Sequence, residues 1–186
     1  MSEVSVNSKC KFRRATPDDF RMIYDMQNVP YRDQVFSREL PKTFEDFEEI
    51  VFAAISNDTQ RFFILERDGV ITGFSQFFMA ERGCEILVWG RWLKTLMFAS
   101  LKVAFDVFGL DGIQACVRTE NKRVNSTYAY FSGREVTREL TAVWQPGMWG
   151  KIKMVGHITY HLTREEFREK EEMFRQQSME IEIVSD

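Results

Sequence analysis

Cys84-Glu85-Ile86-Leu87-Val88-Trp89-Gly90-Arg91-Trp92-Leu93-Lys94-Thr95-Leu96-Met97 changes its period within a few residues. The β-prone run from Cys84 to Trp89 predicts a strand. From there Trp92, Leu93, Leu96, Met97, Leu101, Ala104, Phe105 and Phe108 recur at three- and four-residue steps, which predicts the longest helix of the chain over Arg91–Phe108, stopped by Gly109. The strand passes into that helix through little more than Gly90-Arg91-Trp92. A helix this apolar is expected to pack centrally.

Upstream of this stretch, Phe62-Phe63-Ile64-Leu65 runs into Asp68-Gly69, and Val70 to Met79 resumes as a Phe-rich β-prone segment, the signature of a hairpin with a tight turn. Thr43 caps a helix in which Phe44, Phe47, Ile50, Val51 and Ala54 share a face. Tyr31 to Lys42 has no clean period. Before it, Lys11 to Ala15 predicts a short strand, and Thr16-Pro17-Asp18-Asp19 opens a helix carrying Phe20, Ile23 and Tyr24 that fades at Asn28-Val29-Pro30.

Downstream, Ile113 to Arg118 predicts a strand, and Asn121 opens a helix with Val124, Thr127, Tyr128 and Phe131 on one face, ending near Ser132-Gly133. Val136 to Trp144 and Met154 to Leu162 read as two long strands joined through Gln145-Pro146-Gly147. Thr163-Arg164-Glu165-Glu166 is a capping box opening a heavily charged helix, with Phe167 and Phe174 as apolar points on an otherwise polar surface. Beyond Gln177 the tail alternates Ile and Glu. The reading is of a domain over residues 1–162 followed by a charged helix and tail over 163–186, either part of that domain or a partner-binding extension.

The chain of 186 residues is 44% hydrophobic and 28% charged, with 17 Phe, the composition of one globular domain whose core is filled by aromatic rings. Its formal net charge is −3, and Lys and Arg alternate with Asp and Glu, so the basic stripe of a nucleic-acid binder is missing and no nucleic-acid partner is expected. No apolar run approaches a membrane span, and Met1 to Lys9 carries no signal core. Cys10, Cys84 and Cys116 show neither a CxxC pair nor an even count, which reads as reduced thiols in a cytoplasmic protein. His157 and His161 share a strand face without a third ligand at suitable spacing, so no metal is expected.

The element order, with Phe12-Arg13-Arg14-Ala15-Thr16-Pro17-Asp18-Asp19-Phe20 at the start, Asp68-Gly69-Val70-Ile71-Thr72-Gly73 at the hairpin, Gly109 to Lys122 in the middle and His157 to Phe167 at the exit, resembles the GNAT superfamily, especially its ribosomal-protein acetyltransferase-like branch. The resemblance covers roughly Lys11 to Phe167. It implies an α+β fold, a mixed, mostly antiparallel twisted sheet flanked by helices, here with an extra charged C-terminal helix. It also implies acetyl-coenzyme A as co-substrate and a small-molecule or protein amine as acceptor. Family members carry a Gln/Arg-x-x-Gly-x-Gly/Ala loop between the fourth strand and the long helix, whose N–H groups hold the coenzyme pyrophosphate. In this sequence that loop looks eroded: only Gly90 stands for a loop glycine, and Trp89 and Trp92 add bulk.

Under this resemblance Tyr128 matches the acid that protonates the leaving thiolate, Glu85 a carboxylate base, and Asn121 a pantetheine contact; Val88, Trp89 and Gly90 offer strand and loop backbone, and Arg91 a charge for the phosphates. Other readings of the same residues stay open. Tyr128 fits a core position, Asn121 a plain N-cap, and Glu85 a hydrogen-bonded residue at a strand end. Three functions follow: an N-acyltransferase acting by direct attack of an amine on the thioester, an inactive GNAT-fold assembly module such as a phage virion component, self-associating or docking through the C-terminal helix, or a regulatory module that binds a metabolite in the same cleft without chemistry. In the second reading, removal of Arg164 to Asp186 is expected to abolish assembly and leave the domain folded.

Overall fold

The computed structural model describes residues 10–28, 41–80, 83–132, 135–144 and 152–184. The order is β1 (Cys10–Arg14), a 3-10 turn (Pro17–Asp19), α1 (Phe20–Gln27), α2 (Phe44–Ser56), β2 (Gln60–Arg67), β3 (Val70–Ala80), β4 (Gly83–Gly90), α3 (Leu93–Lys102), β5 (Gly112–Arg118), α4 (Lys122–Ser132), β6 (Glu135–Trp144), β7 (Ile152–Thr163), α5 (Arg164–Gln176) and β8 (Ile181–Val184). The strands form one sheet in the order β6-β7-β5-β4-β3-β2-β1-β8. Pairing is antiparallel except at β4 with β5 and β1 with β8. This is the expected mixed, mostly antiparallel sheet flanked by helices. The segment 31–40, part of the irregular stretch, and the turn at Gln145-Pro146-Gly147 lie outside the described residues.

Asp68 and Gly69 both take positive φ, 52° and 78°, so the β2–β3 hairpin closes through the two-residue turn whose twist matches its strands. Thr43 and Thr163 cap α2 and α5, each side chain accepting from the backbone three residues on. At the first helix the Thr16 cap leads into a 3-10 turn before α1 begins. Asp19 closes that turn by accepting from Thr16 and, through both carboxylate oxygens, from the Arg13 guanidinium at 2.8 and 3.0 Å.

The sheet is covered on both faces. On one, α1 and α2 bury Phe20, Ile23, Phe47 and Val51 against Phe62, Ile64 and Phe74. On the other, α3, α4 and α5 bury Leu96, Leu101, Phe105, Phe131, Phe167 and Phe174 against Phe12, Phe63, Phe77, Ile86 and Val88. Phe62 to Leu65 are all buried because β2 is sandwiched between these layers. No helix among the described residues is long and apolar enough to cross a membrane.

Three sequence expectations are corrected. The central helix begins at Leu93, since Gly90 (φ 144°) and Trp92 (φ 54°) hold the chain out of helical conformation. It also closes early, at Lys102, into one wider turn over Val103–Val107. The tail is a strand: Ile181–Val184 pairs parallel with β1, in register Cys10 with Ile181. Phe167 and Phe174 are not surface points. Both are fully buried, Phe174 packing on Phe131 at 4.4 Å and Phe167 on Phe105 at 5.3 Å between ring centroids. The charged side of α5 is engaged as well, with Glu171 on Lys102 at 2.7 Å.

Candidate active site

β4 and β5 run parallel and pair at Cys84 with Ile113 and Glu85 with Gln114. Past that point the strands part, and a cleft of about 790 Å³ lies at their C-terminal ends. Four separate segments line it: Val70 to Thr72 of β3, Trp89 to Arg91 with Leu93, Met26 of α1, and Asn121, Arg123 and Val124 at the start of α4. Two arginines and no carboxylate stand among these residues, so the cleft favours an anionic ligand.

Trp89, Gly90, Arg91 and Asn121, all expected cofactor contacts, thus meet in one cleft, whereas Val88 is buried in the core under α3, α4 and α5. Gly90 lets the end of β4 cross β3 in close contact. A Cβ at Gly90 would lie 2.4 Å from the Gly73 Cα and 2.5 Å from the Thr72 oxygen. The Arg91 N–H donates to that same oxygen at 2.8 Å and fixes the start of the connection. Gly90→Ala therefore meets both a clash and a backbone conformation rare for L residues, and is expected to destabilise the fold by about 3 kcal/mol. A urea midpoint equal to that of wild type would contradict this.

Asn121 serves as N-cap, its Oδ1 accepting from the Val124 N–H at 3.3 Å, and still lines the cleft. Val124 lies one turn before Tyr128 on the buried face of α4. The Tyr128 hydroxyl donates to the Ile86 oxygen at 3.3 Å, with the Val88 backbone as a second partner, so the phenol sits on the edge of β4 that faces the gap. Burial, then the nearby charge of Glu85, pushes its pKa far above that of an ordinary tyrosine, with the Val88 hydrogen bond opposing. The phenol therefore stays protonated at physiological pH.

Glu85 is half-buried on β4. By strand alternation it faces the same side as Leu87 and Trp89, which pack on the α1–α2 core, while Ile86, Val88 and Tyr128 belong to the opposite core. A protonated phenol and a carboxylate thus flank the start of the parting from opposite faces of the sheet. Sequence reasoning had no signal for Val70 to Thr72, which reach the cleft through the sheet, or for Met26, which reaches it through the packing of α1. Lys94 does not line the cleft; it reaches the Gln177 Oε1 at 2.8 Å and lies over the Tyr130 ring. Among the described residues no group of three or more His, Cys, Asp or Glu converges as a metal site.

No known family profile matches the sequence. No curated protein sequence matches it either. Among solved structures, a point variant of the spermidine N-acetyltransferase of Vibrio cholerae superposes with a TM-score of 0.69 at 17% identity, over 84% of this chain and 96% of that one. The same enzyme in complex with CoA and spermine gives 0.67 at 15% identity, over 86% and 98%. Its dodecameric form in an intermediate state gives 0.62 at 19% identity, over 85% and 95%. With its eight-stranded mixed sheet and parting parallel pair, the chain has the GNAT fold of these acetyltransferases.

Proposed function

We propose that the protein is a divergent N-acetyltransferase that moves an acetyl group from acetyl-coenzyme A to a primary amine by direct attack. The observation that carries this reading is the anion-favouring cleft at the parted ends of β4 and β5, one helical turn from a protonated Tyr128. Backbone N–H groups where β4 and β5 part would hold the pantetheine arm, Asn121 would contact it, and Arg91 and Arg123 would face the phosphates. The crystal complex of the Vibrio cholerae enzyme with CoA and spermine supports a CoA thioester and an amine as the two substrates.

In this reading the amine nitrogen attacks the thioester carbonyl carbon from the Glu85 side, and its proton passes to Glu85. The carbon–sulfur bond breaks on the opposite side and the thiolate takes the Tyr128 proton, which solvent later restores. No acyl-enzyme forms.

The β4–α3 connection is the weak point, because Arg91 and Trp92 alone separate the two elements. A longer loop would offer several N–H donors to the pyrophosphate, each contributing on the order of 1.5–3 kcal/mol. Arg91 and Arg123 offset that loss. Calorimetric titration with acetyl-coenzyme A is expected to give a micromolar Kd, roughly −8 kcal/mol. Arg91→Ala and Arg123→Ala should each weaken binding about tenfold at low salt and less at high salt, since the contacts are between charges. Millimolar binding by the wild-type protein would reject the enzyme in favour of an assembly module.

A further inference from the structure

We propose that Asn125 is the positioning residue of this site, fastening the β5–α4 turn and the Tyr128 ring into one unit; the inference rests on the acetyltransferase reading above. Asn125 touches neither the cleft nor Glu85, yet every polar atom of its amide is used. Its Nδ2 donates to the Arg118 oxygen at 2.7 Å and to the Asn121 oxygen at 3.0 Å, tying the last residue of β5 to the N-cap of α4. Its Oδ1 accepts from the Tyr160 hydroxyl of β7 at 3.0 Å. The Tyr160 ring in turn stacks on Tyr128 with centroids 5.7 Å apart and 16° between planes. The chain of contacts ends where the Tyr128 hydroxyl meets the Ile86 oxygen on β4.

Asparagine is a poor helix former, because its amide competes for backbone groups, so its presence in the first turns of α4 carries a cost. The amide does what an apolar residue could not. It holds two carbonyls of the turn from which Asn121 enters the cleft, and it fixes the rotation of a tyrosine stacked on the proposed acid. A satisfied, half-buried network of this kind favours one arrangement, and losing one member leaves the others without that partner. Asn121 and Tyr128 are thereby set relative to one another by a residue that contacts no ligand.

Two variants separate positioning from plain stability. Tyr160→Phe removes the bond to Asn125 and keeps the buried ring and its stack. Asn125→Leu removes all three amide bonds at similar size. In the full-length protein, kcat is expected to fall about tenfold in Tyr160→Phe with the KM for acetyl-coenzyme A within about twofold, and about a hundredfold in Asn125→Leu with a several-fold rise in KM as the Asn121 turn loosens. Both variants should keep the wild-type circular dichroism at the assay temperature. An unchanged kcat per folded molecule in both variants, with only a lower melting temperature, would overturn the proposal.

A second readout needs no turnover. In protein labelled with 3-fluorotyrosine, the Tyr128 fluorine resonance, assigned by its loss in Tyr128→Phe, should shift and broaden in Asn125→Leu and in Tyr160→Phe. If wild-type protein neither binds nor turns over acetyl-coenzyme A, the acetyltransferase reading falls, and a shifted Tyr128 resonance still supports the coupling. An unmoved resonance in both variants overturns the coupling itself.

Discussion

Phe174→Ala is expected to lower the unfolding free energy by about 3–5 kcal/mol, the cost of emptying a fully buried aromatic site. Phe174 packs against Phe131 of α4 at 4.4 Å, Tyr130 at 5.5 Å and Phe167 at 6.1 Å, so the void would open at the junction of α4 and α5 under the central helix. For a domain whose total stability is about 5–15 kcal/mol, that is a large fraction. Removal of Arg164 to Asp186 goes further. It strips Phe167 and Phe174 from the core, and removes the Arg164 guanidinium that donates to the Leu110 oxygen at 2.9 Å as well as the strand that covers the β1 edge. The truncated chain is expected to lack a cooperative urea transition and to aggregate through the bared core and the open edge of β1. A soluble truncation product with the wild-type melting temperature would show that the C-terminal helix is an appendage. The same burial removes Phe167 and Phe174 from any assembly surface on α5 and leaves Met173 as its exposed large apolar residue.

Tyr128→Phe is expected to lower kcat by about 10²–10³ with little change in the KM for acetyl-coenzyme A, because an acid is needed only as the thiolate leaves. Phenylalanine keeps the ring stacked on Tyr160 and loses the hydroxyl's bonds to the Ile86 oxygen and the Val88 backbone, so the fold should survive. The pH profile makes the test sharper. An ordinary tyrosine acid would lose its proton, and the enzyme its activity, as pH rises through about 10. Burial raises the Tyr128 pKa above that value, so the wild-type rate should show no loss from this group up to pH 10. Turnover unchanged in Tyr128→Phe would remove the residue from the mechanism, and a core role beside Tyr160 would then account for it fully.

Among the described residues that line the cleft there is no carboxylate. In the proposed reading Arg91 and Arg123 on its walls draw the anionic co-substrate into this cleft, which touches both helical layers, with Met26, Ile71 and Trp89 on the α1–α2 side and Leu93 and Val124 on the other. In that reading Glu85, on the side of Leu87 and Trp89 by strand alternation, would be the negative charge that an ammonium group meets before it loses its proton.

What the sequence determined by itself was local. The two-residue period of Cys84 to Trp89, the helical period after Leu93, the Asp68-Gly69 turn and the Thr43 and Thr163 caps depend on residues a few positions apart, and each appears where the pattern puts it. Element order then sufficed for the fold class. Tertiary structure alone decided which partner each face meets. Ile181 and Ile183 alternate with glutamates as an exposed tail would, and became a strand only because β1, some 170 positions earlier, offered an edge. Phe167 and Phe174, seven residues apart on a charged helix, carry the same local signal whether they face solvent or a core; burial was settled by Phe105 and Phe131 on other helices. The start of α3 at Leu93 followed from the contact of Gly90 with Gly73, which no short-range pattern contains. The cleft is drawn from four segments far apart in sequence, and the Asn125 amide gains its meaning from carbonyls and a hydroxyl on other elements. Local periodicity sets what a residue can face, and long-range packing sets what it does face, because burial free energy depends on the neighbour that arrives and not on the spacing that presents it.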